Sequence, residues 1–387
     1  MKGCKSLKLN KNLVSTLLDV RPLGTVTLFL FASSFPVQAV SFQEITTFRT
    51  FADWCLNKSN LSVETKHTVD ALLKVAETTD CKQADKLLST RPKLSLDDNQ
   101  ITDIKPLSTL TQLRVLFLKK NQITDVKPLL TLPNLTGLSL DKNQITDLKP
   151  LSTLTNLIGL SLDNNQITDL KPLSTLTQLR VLLLDNNQIT DVKPLSTLPN
   201  LKILSLEKNQ ITDLKSLSTL PNLTGLSLDN NQITDLKPLS TLTQLIYLSL
   251  TNNQLTDLRP LLTLTNLSML SLDNNQITDV KPLSTLTQLT SLYLDNNQIA
   301  DLRPLSTFIN LEILSLNNNQ ITDVKSLSTL ISLRELYLNS NQIVDLRPLS
   351  TLTQLTELSL SNNQMLVDKT CPIKPVSICK FVPVGER

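Results

Sequence analysis

From residue 91 to 364 the hydrophobic and polar positions follow one fixed pattern. Asn99, Asn121, Asn143 and their successors down to Asn363 recur every 22 residues with no insertion. In one unit the apolar positions are Leu113, Leu116, Leu118, Ile123, Val126, Leu129 and Leu132, around Asn121. Leu116 and Leu118 alternate with Val115, Phe117 and Lys119, the period-two signature of a short, half-buried strand. Pro128 and its counterparts end any strand and start a tight turn of 3₁₀ character. A single unit is too small to bury its own leucines. Stacking about thirteen of them gives a continuous core and a parallel sheet, so the pattern predicts a repeat array.

The two ends break the pattern. Residues 1–39 read as a signal peptide: Lys2, Lys5, Lys8, Lys11 and Arg21 precede an apolar run, Leu23 to Phe35, too short to span a bilayer. Val37-Gln38-Ala39 supplies a small-residue cleavage site. Residues 40–90 read as a helical cap. Ser62 opens a helix with Glu64 in its first turn and Val69, Leu72, Leu73 and Ala76 on one side. Asp80, with Gln83 three residues on, opens another that carries Leu87 and Leu88, and Trp54 and Cys55 fall on a short helix before both. His67, among Thr65, Lys66 and Thr68, reads as a solvated surface residue. Residues 365–387 form the C-terminal cap and tail.

The spacing L-x-x-L-x-L-x-x-N-x-I-x-D-[LV]-x-P-L-x-x-L resembles the leucine-rich repeat of the bacterial internalin type. The resemblance implies an α/β solenoid: a curved array whose parallel sheet lines the concave face, with 3₁₀ or irregular structure on the convex side. It also implies that the concave face binds another macromolecule. Departures are few. Arg91 and Pro92 stand where the first repeat should open, Ser216 and Ser326 replace the proline, and Met365 and Val367 replace Ile and Asp in the last unit.

Cleavage of the leader would remove Cys4 and leave Cys55, Cys81, Cys371 and Cys379, which allow three pairings. An array between the two caps selects Cys55–Cys81 and Cys371–Cys379, and bridges of this kind point to an oxidising compartment. Charge reads differently once the leader is gone. It holds five of the basic residues and Asp19, a net +4, so the formal +3 of the chain becomes about −1. A clustered basic face for nucleic acid is not supported.

Composition argues against catalysis. The chain is 3% aromatic, with 6 Gly and 1 His, so it has little material for an aromatic pocket, a phosphate loop or histidine acid–base chemistry. There is no C-x-x-C pair. The repeated asparagines are expected to turn inward and bond the backbone of neighbouring coils. The aspartates four positions later, Asp103 through Asp345, are expected to accept from the following turn, with a Lys or Arg two residues on offsetting their charge. No metal or cofactor is implied.

Residues two, four and six before each Asn should face out of the concave sheet. The middle column is mostly serine, interrupted by Phe117, Leu183, Tyr293 and Tyr337. The column six before carries Val115, Val181, Ile203, Tyr247, Met269 and Ile313. Tyr247, Met269, Tyr293, Ile313 and Tyr337 therefore define a candidate partner-binding patch, with Phe117 as an outlying member and Val181, Leu183 and Ile203 as a weaker second patch. The column two before the Asn is acidic, from Asp97 to Asp295, and reads as a solvated ridge, with a basic partner or a weak cation site as the other reading.

The sequence thus describes a secreted or cell-envelope, non-catalytic recognition protein. It is expected to act as a monomer, with no membrane span after cleavage. A protein partner, with polysaccharide as the other option, would bind on the concave face. The alternatives are an intracellular scaffold such as a phosphatase-binding subunit, which would keep free thiols, and a structural envelope protein without a specific ligand.

Overall fold

The structure, a computed structural model, describes residues 48–381; the expected leader, residues 40–47 of the expected cap and residues 382–387 of the tail lie outside it. The described chain divides after Asn165 into two compact units. Repeats that touch only their neighbours subdivide readily in this way.

The first unit begins with three helices: α1 (Phe51–Leu56), α2 (Val63–Ala76) and α3 (Cys81–Leu88). Each starts where a side chain satisfies an otherwise orphaned backbone N–H. Thr50 and Asp53 form a reciprocal capping box on α1, Ser62 accepts from Thr65 N on α2, and Asp80 accepts from Gln83 N on α3. Cys55–Cys81 ties α1 to α3. Asp85 of α3 adds a second tie, its Oδ1 accepting from Phe51 N at 2.8 Å. Helix α2 lies against the first coil: Thr68 Oγ1 donates to Asp103 O at 2.6 Å, and Thr65 Oγ1 to Asp103 Oδ2 at 2.5 Å. His67 is exposed but not simply solvated, because its Nε2 bonds to the Asn99 carbonyl at 2.6 Å. Leu87 of α3 points outward, 40% exposed, whereas Leu88 is buried.

Strands β1 (Lys93–Ser95), β2 (Val115–Phe117), β3 (Gly137–Ser139) and β4 (Gly159–Ser161) complete this unit, parallel and in chain order. The second unit continues the pattern with β5 (Val181–Leu183), β6 (Ile203–Ser205), β7 (Gly225–Ser227), β8 (Tyr247–Ser249), β9 (Met269–Ser271), β10 (Ser291–Tyr293), β11 (Ile313–Ser315), β12 (Glu335–Tyr337) and β13 (Glu357–Ser359). They too are parallel and ordered as in the chain. Registry is one full repeat: Leu226 pairs Leu248, and Leu248 pairs Leu270. A final strand, β14 (Cys379–Lys380), covers β13, and Cys371–Cys379 closes the loop that delivers it.

Each leucine position of the repeat is a row in the core. Leu226, Leu228, Ile233, Leu239, Leu242 and Leu245 of one coil are all fully buried. Burial of each such side chain contributes about 2 kcal/mol. Opposite the sheet, residues such as Lys127–Thr131 form 3₁₀ turns with proline near the start. The coils with Ser216 and Ser326 make the same turn, Lys215–Thr219 and Lys325–Thr329. Proline favours this turn but the surrounding rows already impose it.

The repeated asparagine is the polar spine. Asn121 Oδ1 accepts from Ile101 N of the preceding coil at 2.9 Å, and its Nδ2 donates to Leu96 O and Leu118 O at 2.9 Å each. The same triad recurs at Asn231 and at Asn319. One side chain thus satisfies three buried backbone groups that the turn leaves behind. The residue before it adopts the left-handed conformation in every coil, as in Lys142 (φ 54°), Asn164 (φ 57°) and Asn252 (φ 56°). Asparagine tolerates that region best among residues with a side chain, which accounts for the recurrent Asn-Asn pairs.

Candidate binding face

The outward positions of the strands form the candidate face, and their surroundings differ from what alternation alone suggests. The serine column is not an open floor. Ser205, Ser227, Ser249 and Ser315 are all at most 4% exposed, because each is flanked by its counterparts in the next coils and by the two outer columns. Tyr293 is corrected in the same way: it is only 4% exposed and so is not an exposed anchor. Its register partners are Ser271 and Ser315, and the small neighbours leave room for the ring to be closed in. Val181 and Leu183 of the weaker patch are likewise buried.

Tyr247, Met269, Ile313 and Tyr337 are half-buried. The first three share one outer column, and Ile246, preceding Tyr247, is 51% exposed. Tyr337 is held by its neighbour, its hydroxyl donating to Glu335 Oε2 at 2.7 Å. Burial raises the Tyr247 phenol well above its ordinary range, and the nearby Asp229 carboxylate adds to the shift. Phe117 belongs to the first unit and a different setting, half-buried with Lys93 Nζ 5.5 Å from its ring centroid.

The acidic column is not a solvated ridge but a second ladder. Asp185 Oδ1 accepts from Ser205 Oγ at 2.5 Å and from Glu207 N at 2.9 Å in the next coil. Asp229 does the same with Ser249 Oγ at 2.5 Å and Thr251 N at 2.8 Å, and Asp295 with Ser315 Oγ at 2.6 Å and Asn317 N at 2.8 Å. Where the column turns to asparagine the bond persists: Asn317 Oδ1 accepts from Asn339 N at 2.8 Å. Sequence reasoning missed this ladder. Its signal was the pairing of Asp with a Ser at the neighbouring outward position, repeat after repeat.

Burial raises the pKa values of Asp229, Asp273 and Asp295 in this column. It pushes Asp229 up to about 6, assisted by Glu207 and Asp185, while the bonds from Ser249 and Thr251 oppose the shift. It pushes Asp273 up to about 7, with Asp295 and Asp229 adding repulsion. Asp295 is raised for the same first reason. The aspartates on the turn side behave oppositely. Asp257, Asp301 and Asp345 are held low by bonds from Arg259, Arg303 and Arg347, with Arg259 Nη2 and Arg303 Nη2 each 2.8 Å from the carboxylate. They also accept from the backbone N–H two residues on, as Asp257 does from Arg259 N at 2.9 Å.

Among the described residues, no group of three His, Cys, Asp or Glu side chains is arranged to hold a metal ion, and no helix is long and apolar enough to cross a membrane. A depression of about 580 Å³ lies on the cap by Asp70, Leu73 and Glu77, and one of about 220 Å³ by Leu360, Asn363 and Phe381.

A parallel-stranded coil of fixed length, with a polar spine and an outward-facing sheet, defines a repeat protein of the leucine-rich type. The family model for leucine-rich repeats (two copies) matches in successive segments from 93–131 to 331–370. An internalin (InlF) of Listeria monocytogenes is similar at 34% identity and a TM-score of 0.77, over 83% of this chain and 95% of that one. Internalin C2 of the same organism is 37% identical with a TM-score of 0.50, over 54% and 91%. The functional domain of its InlJ is 26% identical with a TM-score of 0.59, over 81% and 75%. No match to a curated protein was found. The chain belongs to the leucine-rich repeat proteins, and among them to the bacterial internalin type. This fold is typical of protein-binding proteins and is generally a non-catalytic scaffold.

Proposed function

We propose that this is an exported, non-catalytic recognition protein that binds a protein partner on the outward sheet face of its second unit. The observation that carries this reading is the half-exposed column Tyr247, Met269 and Ile313, with Ile246 exposed beside it, next to a middle column that is mostly serine. Clustered apolar and aromatic side chains of this kind form the centre of protein interfaces. Tyr337 extends the site at a second position, and Tyr293 supports the face from beneath. Phe117 marks a separate contact on the first unit.

Export is supported by the basic, apolar and small-residue succession in residues 1–39 and by the two disulfides, which fit an oxidising compartment. They also weigh against the intracellular scaffold, for which free thiols are expected. In this reading 40–90 caps the array, 91–364 is the repeat and 365–387 closes it.

The test uses residues 40–387 as bait against surface extracts, followed by Tyr247→Ser with Met269→Ser. The captured partner should be lost while the melting temperature is kept. Retention of the partner by this variant would overturn the assignment of the face. Sequencing of the exported protein's N-terminus should begin at Val40.

A further inference from the structure

The proposed binding face carries a charge pattern that an apolar patch alone does not require. Over β7–β11, Asp229, Asp273 and Asp295 stand in one column, and no outward strand position from 225 to 317 is lysine, arginine or histidine. Before β7 to β10, at the opposite margin, stand the uncharged Thr224, Ile246, Ser268 and Thr290. In the adjoining coils the nearest cations are engaged: Lys208 Nζ is 3.3 Å from Glu207, and Arg334 Nε is 3.6 Å from Glu312. Lys202 stands at the margin away from the carboxylates. The donors to Asp229 and Asp295 are Ser249 Oγ and Thr251 N, and Ser315 Oγ, Asn317 N and the Asn317 Nδ2 at 2.9 Å, all of them neutral. These bonds orient Asp229 and Asp295 without supplying a positive charge.

We infer that this face takes an extended cationic segment of a partner protein, its lysine or arginine side chains meeting the half-buried Asp273 and Asp295, with the buried Asp229 adding to their negative field, while its apolar residues lie on Tyr247, Met269 and Ile313. The inference rests on the sheet face being the binding surface and adds the chemistry of what binds there. An extended chain alternates its side chains at about 7 Å spacing, which lets charged and apolar residues reach the two columns in turn. A cation delivered to the column also relieves the repulsion among Asp185, Glu207, Asp229, Asp273 and Asp295. It therefore favours the ionised forms of Asp229, Asp273 and Asp295, and binding should release protons and tighten as pH rises through about 6 to 7.

The probe is a blocked peptide of four Lys-Val repeats, with Glu-Val and Lys-Ser repeats as controls, titrated into residues 40–387 at low salt. The Lys-Val peptide should bind roughly tenfold or more tightly than either control, weaken at high salt, and weaken further from about pH 8 to about pH 5.5. The triple variant Asp229→Asn, Asp273→Asn, Asp295→Asn keeps the ladder, since Asn317 already makes that bond. It should remain folded and lose roughly tenfold in affinity. Absence of Lys-Val binding, equal binding of the Glu-Val peptide, or an unaffected triple variant would each overturn the inference. If Tyr247→Ser with Met269→Ser releases a captured partner and the triple amide variant does not, the face stands and the cationic partner falls. If neither releases it, both fall.

Discussion

The interior of the coils and the outward face of the sheet use the same device with opposite consequences. Inside, Asn231 Oδ1 accepts from Ile211 N of the coil before at 3.0 Å. Outside, Asp229 Oδ1 accepts from Thr251 N of the coil after at 2.8 Å. Both are side-chain oxygens that satisfy a neighbouring coil's backbone. The amide is neutral, and its Nδ2 also donates, so the interior ladder is indifferent to pH. The carboxylate only accepts, and buried in a column of like charges it resists ionisation. A position that looks like routine repeat polarity can thus be part of the scaffold and a titrating element at once.

The largest expected effect comes from cutting the interior ladder. Asn231→Ala leaves Ile211 N, Leu206 O and Leu228 O without their bonds. Chemical denaturation should show a loss of about 3 kcal/mol or more. Next is the cap: Cys55→Ser with Cys81→Ser opens a loop of 26 residues. The loss should be about 3 kcal/mol by the loop-closure estimate, read as a lower denaturation midpoint.

The outer ladder should respond to pH instead. Asp229 and Asp273 sit at about 6 and about 7 in the fold, against an ordinary 3.8. Between those limits the native chain holds protons that the unfolded chain has released, so unfolding free energy falls as pH rises from about 4 through 7. Asp257, Asp301 and Asp345, held low, contribute stability that is lost only at acid pH, below the ordinary carboxylate range. Asp273→Asn should flatten the slope above pH 4 and raise stability near pH 8 by about 1 kcal/mol. An unchanged slope would mean that the outer column does not differ from the inner one in this respect. The smallest effect is expected at Lys142, whose φ is 54°. Lys142→Asn, matching the residue at 164, should stabilise by a few tenths to about 1 kcal/mol in thermal melts.

Much of this was legible in the chain. The 22-residue period names every core row, because a residue's depth in a coil repeats with its position. Ser62 and Asp80 mark helix starts through local bonds that span three residues. The cysteines could be paired because each pair belongs to one end. Legibility stopped where the environment comes from other coils. Tyr293 alternates outward like Tyr337, yet it is closed in at 4% exposure beside Ser271 and Ser315. His67 has no ligand-like neighbour in sequence, and its partner Asn99 is 32 residues on.

By itself the sequence determined the coil: which leucines are buried, where the strand, spine and turn fall, and which ends need caps. These depend on periodicity and local bonding, which a single chain carries in its order. Only the tertiary structure decided how deep the outward positions lie and how they titrate. Exposure and charge coupling on the sheet face are set by residues one or two coils away, about 5 to 10 Å in space. The Asp column at Asp229 and Asp273 became a ladder with raised pKa values only when neighbouring coils supplied its donors, its burial and its like charges.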